Sequence, residues 1–212
     1  MVRILLTGDS HIPKRASTVP DEIYREINTL ITKDRFDYVF FTGDLVDAPK
    51  LMNYLNNISR EKLFKVIGNM DYYGGNRTLP QTQNLAIDFN EAGEISLGLI
   101  HGHQVHPRGD HNQLELIAQE NNYNIVVSGH THKEEIYLTP DGILLLNPGS
   151  ITGAWSFIAS GNCCFIILNI KEDSKMVDIK LYQYNRKSMR FSITGKSYQW
   201  IDEKKILKPS KK

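Results

Sequence analysis

Five short apolar runs in this chain, at residues 4–7, 38–42, 63–67, 97–100 and 125–128, each end in residues that can bind a cation or move a proton. The first opens into Gly8-Asp9-Ser10-His11 and the second into Gly43-Asp44-Leu45-Val46-Asp47. The third gives Gly68-Asn69-Met70-Asp71, the fourth His101-Gly102-His103 and the fifth Gly129-His130-Thr131-His132. All seven histidines lie within these motifs or shortly after one of them, at His106 and His111, and none falls beyond residue 132. A lone histidine on a loop is ordinarily a surface residue, but five in such turns point to one convergent site. The flanking glycines suit that convergence, because they permit tight turns and close backbone approach.

Carboxylate, imidazole and amide oxygen without a nearby thiolate suit a divalent transition metal better than a structural cysteine site. Manganese comes first, with zinc, iron or nickel as alternatives. Asp9, His11, Asp44, Asn69, His101, His130 and His132 exceed what one ion needs at three or four protein ligands, so two ions are expected. A carboxylate bridging two ions about 3.5–4 Å apart is the arrangement of two-metal hydrolytic centres. In such a centre a bridging water is acidified by the metals and becomes the nucleophile of a hydrolysis. No serine or cysteine stands in a setting that would activate it as a nucleophile.

The elements that must position these groups read as α/β alternation. The five runs are too short for helices and too apolar to alternate, as expected of buried strands. In open α/β sheets ligands bind beyond the carboxyl ends of the strands, which is where all five motifs fall. Ile23, Ile27, Leu30 and Ile31 recur at helical spacing after Pro20-Asp21, and residues 48–58 and 114–119 give two more helices. Residues 84–89 and 94–100 read as a hairpin across 91–93, and residues 134–138 and 143–146 as another across Asp141-Gly142. Further strands at 163–170, 177–184 and 190–193 are expected to form a second sheet packed on the first. The expected organisation is one domain over residues 1–202 followed by a solvated lysine-rich tail, 203–212.

Hydrophobic residues at 41% and charged residues at 23% fit an ordinary globular domain with a large core. No apolar run approaches the length of a membrane span, and the opening run 2–6 is too short for a signal-peptide core. A net charge of +1 gives no electrostatic support for nucleic acid as a partner. The only cysteines, Cys163 and Cys164, are neighbours in an expected strand, so they point to opposite faces and do not bridge each other. This usage fits a reducing compartment, and a cytoplasmic protein is expected.

As an ordered set, the five motifs resemble the signature blocks of the calcineurin-like metallophosphoesterases. Within that superfamily the chain resembles the small single-domain phosphodiesterases of bacteria and archaea, and the metallophosphoesterase-like small subunit of retromer. The closer likeness lies in Gly8-Asp9-Ser10-His11-Ile12-Pro13, His101-Gly102-His103-Gln104-Val105, Ser128-Gly129-His130-Thr131-His132-Lys133 and the segment Asn147-Pro148-Gly149-Ser150-Ile151-Thr152-Gly153-Ala154. The resemblance implies a four-layer α-β-β-α sandwich, two facing mixed sheets flanked by helices. It implies Asp9, His11 and His132 on one metal, Asn69, His101 and His130 on the other, and Asp44 between them. His103 would be a phosphate contact or proton donor. Many larger members carry a histidine after the Gly-Asn pair to protonate the leaving group. This chain has Met70 there, which favours phosphodiesters with good leaving groups.

The resemblance also carries a second reading, a scaffold with weak or no catalysis that binds a helical-solenoid partner and reaches membranes peripherally through it. Leu138, Ile151 and Trp155 are the apolar positions expected to be exposed for that docking. Against it, Asp44 and Asn69 are retained, and His106-Pro107-Arg108 stands where the scaffold form presents larger apolar residues. An exposed sheet edge would allow a homodimer.

Overall fold

The computed structural model describes the whole chain except residues 33, 90–92 and 211–212. Its first half alternates strand and helix: β1 (Val2–Thr7), α1 (Asp21–Leu30), β2 (Phe36–Phe41), α2 (Pro49–Ile58), β3 (Ser59–Lys65) and the short α3 (Asn69–Tyr73). There follow β4 (Thr82–Asp88), β5 (Glu94–Ile100), α4 (His111–Asn121), β6 (Ile125–Val127), β7 (Glu135–Leu138) and β8 (Leu144–Asn147). The chain closes with β9 (Cys163–Lys171), β10 (Met176–Asn185), β11 (Arg190–Ile201) and β12 (Ile206–Pro209).

Two mixed sheets result. One has seven strands in the order β12-β11-β10-β9-β1-β2-β3, and the other five in the order β4-β5-β6-β8-β7. β1, β2 and β3 run parallel, as do β5, β6 and β8, while β9 to β12 add antiparallel strands beside β1. The expected α/β sandwich of two facing sheets flanked by helices is therefore observed. Its division of strands is different. The late strands extend the sheet of β1, and the fourth and fifth apolar runs belong to the other sheet. The choice is made by pairing partner, because β9 offers β1 an edge in register from Val2–Ile170 to Leu6–Ile166 that is apolar except at Arg3–Asn169.

Side-chain alternation builds three apolar layers. Ile4, Leu6, Phe40, Leu97, Leu99, Val127, Leu146, Ile166 and Leu168 fill the space between the sheets. Leu5, Val39 and Phe41 point the other way, against Ile23 and Ile27 of α1 and Leu51 and Leu55 of α2. On the outer face of the five-stranded sheet, Val126 and Leu145 pack on Leu114 and Ala118 of α4. The adjacent free cysteines show the same alternation, with Cys163 in the helix-facing layer and Cys164 between the sheets.

Three expectations are corrected. Residues 206–209 are not a free tail: β12 pairs with β11, and Leu207 is buried in the core between the sheets. A five-residue helix, α3, follows Gly68 where no helix was expected. Ile151 is wholly buried in the layer facing α1 and α2, and Leu138 is half-buried against the central core. The β4–β5 hairpin forms as expected, although most of its turn lies outside the described residues. Among the described residues no helix is long and apolar enough to cross a membrane.

Candidate metal centre

The ends of β1, β2 and β3 and those of β5 and β6 meet at one rim, so the motifs converge from two sheets rather than one. Backbone bonds stitch them together: Asp9 N–H donates to Gly43 O at 2.9 Å, His11 N–H to Asp44 O at 3.0 Å and Gly129 N–H to His101 O at 2.9 Å. Asp9, His11, Asp44, His101, His130 and His132 are all buried. Five of them, Asp9, His11, Asp44, His130 and His132, adopt positive φ between 48° and 67°. Left-handed backbone at non-glycine residues costs roughly 1–3 kcal/mol each and concentrates at functional sites. Such strain turns the side chains inward from loops too tight for ordinary extended backbone.

Ligand atoms of Asp9, His11, Asp44 and His132 all lie within 4.8 Å of one another. His11 Nε2 stands 2.9 Å from His132 Nε2 and 3.2 Å from Asp44 Oδ2, and His132 Nε2 is 3.4 Å from Asp9 Oδ1. A second group gathers on the other side of Asp44, where His101 Nε2 is 3.5 Å from Asp44 Oδ2 and 3.2 Å from Asn69 Oδ1. The His130 ring lies 5.1 Å from that of His101. Every one of the seven expected ligands is thus in the rim. The donor set fits divalent cations: two carboxylates, one amide oxygen and four imidazoles, all buried except the half-buried Asn69.

The surrounding bonds fix which atoms face inward. His101 Nδ1 pairs with Thr42 O at 2.7 Å and His132 Nδ1 with Ala154 O at 2.9 Å, which leaves each Nε2 free as a ligand. Asp44 Oδ1 accepts the Met70 N–H at 2.7 Å, turning Oδ2 toward both histidine groups. Asp9 is held by the His130 N–H at 3.1 Å and Thr42 Oγ1 at 3.4 Å. Ser150 and Thr152 donate from their hydroxyls to Asp9 O and Ser10 O, at 2.7 and 2.9 Å.

Burial pushes the Asp9 carboxyl up to about 6 and holds the imidazoles of His11 and His130 down at about 3. For His101 burial acts downward too, but the hydrogen bond to Asp44 and the charges of Asp9 and Asp44 outweigh it and raise the imidazole to about 9. Asp44 is the counterpart: burial alone would raise its carboxyl, and the adjoining His101 and His11 hold it below the usual range. Without metal, the centre therefore contains an ionised Asp44 beside a cationic His101.

Some expected members stand apart. His103 is at the rim, its ring 5.5 Å from that of His101, and its buried Nδ1 has no hydrogen-bond partner. His106 is exposed, and His111 stacks on Tyr137 and pairs with Glu135 at 2.9 Å. Trp155 is 64% exposed and contacts Phe157, so of the three expected apolar docking positions it alone is prominent. Asp71 belongs to the site although its motif does not single it out. It is 2% exposed and receives the backbone N–H groups of Asp44, Val46 and Gly68. The only sequence signal for it was an aspartate two residues after Asn69.

Residues 2–173 match the family described as the calcineurin-like phosphoesterase superfamily domain. The chain belongs to this superfamily. A probable metallophosphoesterase of Methanocaldococcus jannaschii is 35% identical over 145 residues, 68% of this chain and 66% of that protein. The match therefore spans just under two thirds of that relative's length. Among solved structures, Vps29 of Entamoeba histolytica complexed with Zn2+ is 30% identical with a TM-score of 0.75, over 92% of this chain and 99% of that one. Vacuolar Protein Sorting 29 of Cryptosporidium parvum is 27% identical with a TM-score of 0.76, over 93% and 98%. These likenesses agree with the resemblance to the retromer small subunit.

Proposed function

We propose that this calcineurin-like protein is a two-metal phosphodiesterase acting on activated phosphodiesters. One observation carries the reading: Asp44 Oδ2 lies 3.2 Å from His11 Nε2 and 3.5 Å from His101 Nε2, so a single carboxylate oxygen serves both ligand groups. Asp9, His11 and His132 would hold one ion, Asn69, His101 and His130 the other, and Asp44 both. Two divalent ions there supply a nucleophilic water at neutral pH and charge compensation for the phosphoryl oxygens. Manganese, zinc, iron and nickel all suit the donors. The Zn2+ bound by the Entamoeba Vps29 adds support for zinc.

The chain's own residues set the limits of the chemistry. Thr42 O and Ala154 O orient the imidazoles of His101 and His132, and Met70 contributes its backbone N–H to Asp44 rather than an acid to the leaving group. His103 faces the same rim. Burial and the neighbouring His101 hold its imidazole below the usual value, so at pH 7 it is neutral and serves as a phosphate contact. A reaction without a standing acid depends on the leaving group, since general acid catalysis ordinarily supplies about a hundredfold to ten-thousandfold. The deciding assay is turnover of bis-p-nitrophenyl phosphate with added Mn2+, comparing wild type with Asp44→Ala. Wild-type turnover well above that background is expected, and equality with it would overturn the enzyme reading.

A scaffold role is the second reading, supported by the Vps29 likeness across 92% of the chain and by Trp155, Phe157 and Ile158, which are 64%, 87% and 49% exposed. Such a surface suits a helical-repeat protein, through which the chain would reach a membrane peripherally. Recovery of a stoichiometric helical-repeat protein with wild type but not with Trp155→Ala/Phe157→Ala would support it. Its absence in both would count against it.

A further inference from the structure

Beside the Asn69 end of the centre opens a cleft of about 370 Å³, bordered by Asn69, Tyr72, Tyr73, Arg77, Leu79 and His103. Its size is that of pockets that enclose small organic ligands. Two of its borders belong to the site already described, so a molecule in the cleft would extend from the metals. The helix α3 joins the Asn69 end of the centre to the cleft: Asn69 is its first residue, and Tyr72 and Tyr73 follow at three and four residues, on the same side of the turn.

The lining is chemically one-sided. Tyr72 and Tyr73 are 48% and 77% exposed, and their rings stand nearly perpendicular, 6.0 Å apart. The Arg77 guanidinium lies 4.8 Å from the centre of the Tyr72 ring. Among the described residues no carboxylate borders the cleft. Exposed tyrosines with a stacked guanidinium and no acid form a platform for a planar ring carried by an anionic ester, because every base has a π-face and stacking does not depend on its edge pattern. A flexible alkyl ester would gain little from these surfaces.

We propose that this cleft seats the base of a nucleotide ester, stacked on the Tyr72–Tyr73–Arg77 platform with its phosphate at the Asn69 end. The inference rests on the phosphodiesterase reading and narrows it to nucleotide-containing diesters. It is tested by calorimetric titration of the Mn-loaded full chain with adenosine 5′-monophosphate and with ribose 5-phosphate, which has the same sugar phosphate but no base. The nucleotide is expected to bind roughly tenfold more tightly. That advantage should fall below about twofold in Tyr72→Ala and in Tyr73→Ala and persist in Tyr72→Phe, with ribose 5-phosphate binding unchanged throughout. Equal binding of the two ligands by wild type, a base advantage that survives both alanine substitutions, or binding of neither ligand overturns the proposal. The two readings fail separately: bis-p-nitrophenyl phosphate turnover at the Asp44→Ala background removes the phosphodiesterase, whereas loss of the base advantage with turnover intact removes only the nucleotide cleft.

Discussion

The carboxylate of Asp71 accepts the backbone N–H of Asp44 at 2.8 Å, and its other oxygen accepts that of Val46 at 2.7 Å. The oxygen that holds Asp44 also takes the Gly68 N–H at 2.9 Å, so one buried side chain ties the Gly-Asp loop to the Gly-Asn loop. Each loop supplies a ligand. Asp44 and Asn69 are thus kept in register by a residue that touches no metal position itself. Removing Asp71 leaves three inward-facing N–H groups without an acceptor, each worth about 1–3 kcal/mol when buried. Asp71→Ala is expected to lower stability by about 3 kcal/mol or more and metal affinity by roughly tenfold to a hundredfold. Asp71→Asn, which keeps the shape, should lose less of both. Urea denaturation and metal titration of the two variants check this, and an Asp71→Ala protein with wild-type metal affinity would sink the positioning role.

Gly68 gives a sharper test of the same junction. A Cβ built there would stand 2.0 Å from Asp44 Oδ1 and 2.2 Å from Asp44 N, contacts that only displacement of the Asp44 loop can relieve. Gly68→Ala should therefore cost about 1–3 kcal/mol, the ordinary range for overpacking. Its larger effect should be on bound metal, because the displaced group is the proposed bridge. Metal content after gel filtration in metal-free buffer is the readout, with near-stoichiometric retention by wild type and marked loss by the variant expected. A variant that retains both ions would refute the argument.

Protons and metal should compete at His101. In the metal-free protein this imidazole is raised to about 9, so at pH 7 it is cationic, and it must become neutral to serve as a ligand. Burial already holds His11 and His130 neutral, at about 3, and they release nothing at that pH. Metal uptake at pH 7 is expected to release about one proton, and affinity at the His101 side to rise about tenfold per pH unit up to about pH 9. Below about pH 6 the protonation of Asp9 adds a second competing proton. Calorimetry in two buffers of different ionisation enthalpy counts these protons. Uptake without proton release would show that His101 is not a ligand or is not held by Asp44.

How much of this was legible in the sequence depends on the range of the interaction. The strand ends and their ligand motifs could be read because apolar runs and the polar turns after them are local patterns. Convergence of those motifs followed from number and spacing, and the family likeness agrees. Sheet membership was not legible: β9 is as apolar as β5, and only the pairing of Val2–Leu6 with Ile166–Ile170 decides which sheet it joins. Nor was the positive-φ backbone at Asp9, His11, Asp44, His130 and His132, which aspartate and histidine tolerate better than most residues but still adopt rarely, and here under tertiary contacts. The exposure expected of Ile151 failed for a related reason. Its motif runs under the rim, where Ser150 and Thr152 bond to the first ligand loop and carry the intervening side chain inward.

The C-terminal strand turns the same lesson into a stability measurement. Lysines on both sides of Ile206 and Leu207 give the segment the composition of a solvated tail, yet Leu207 N–H bonds to Gly142 O at 2.9 Å and its side chain is 1% exposed. The register Trp200–Leu207 places it beside the one tryptophan of the central core. Composition misleads here because two apolar residues suffice once a sheet edge supplies the backbone partners. Leu207→Ala is expected to lower the unfolding free energy by about 2–5 kcal/mol, the range for emptying a packed leucine site. Lys208→Ala, exposed in the same strand, should change it by no more than about 0.5 kcal/mol. Urea denaturation of both variants measures the contrast, and a wild-type midpoint for Leu207→Ala would return the segment to the status of a tail.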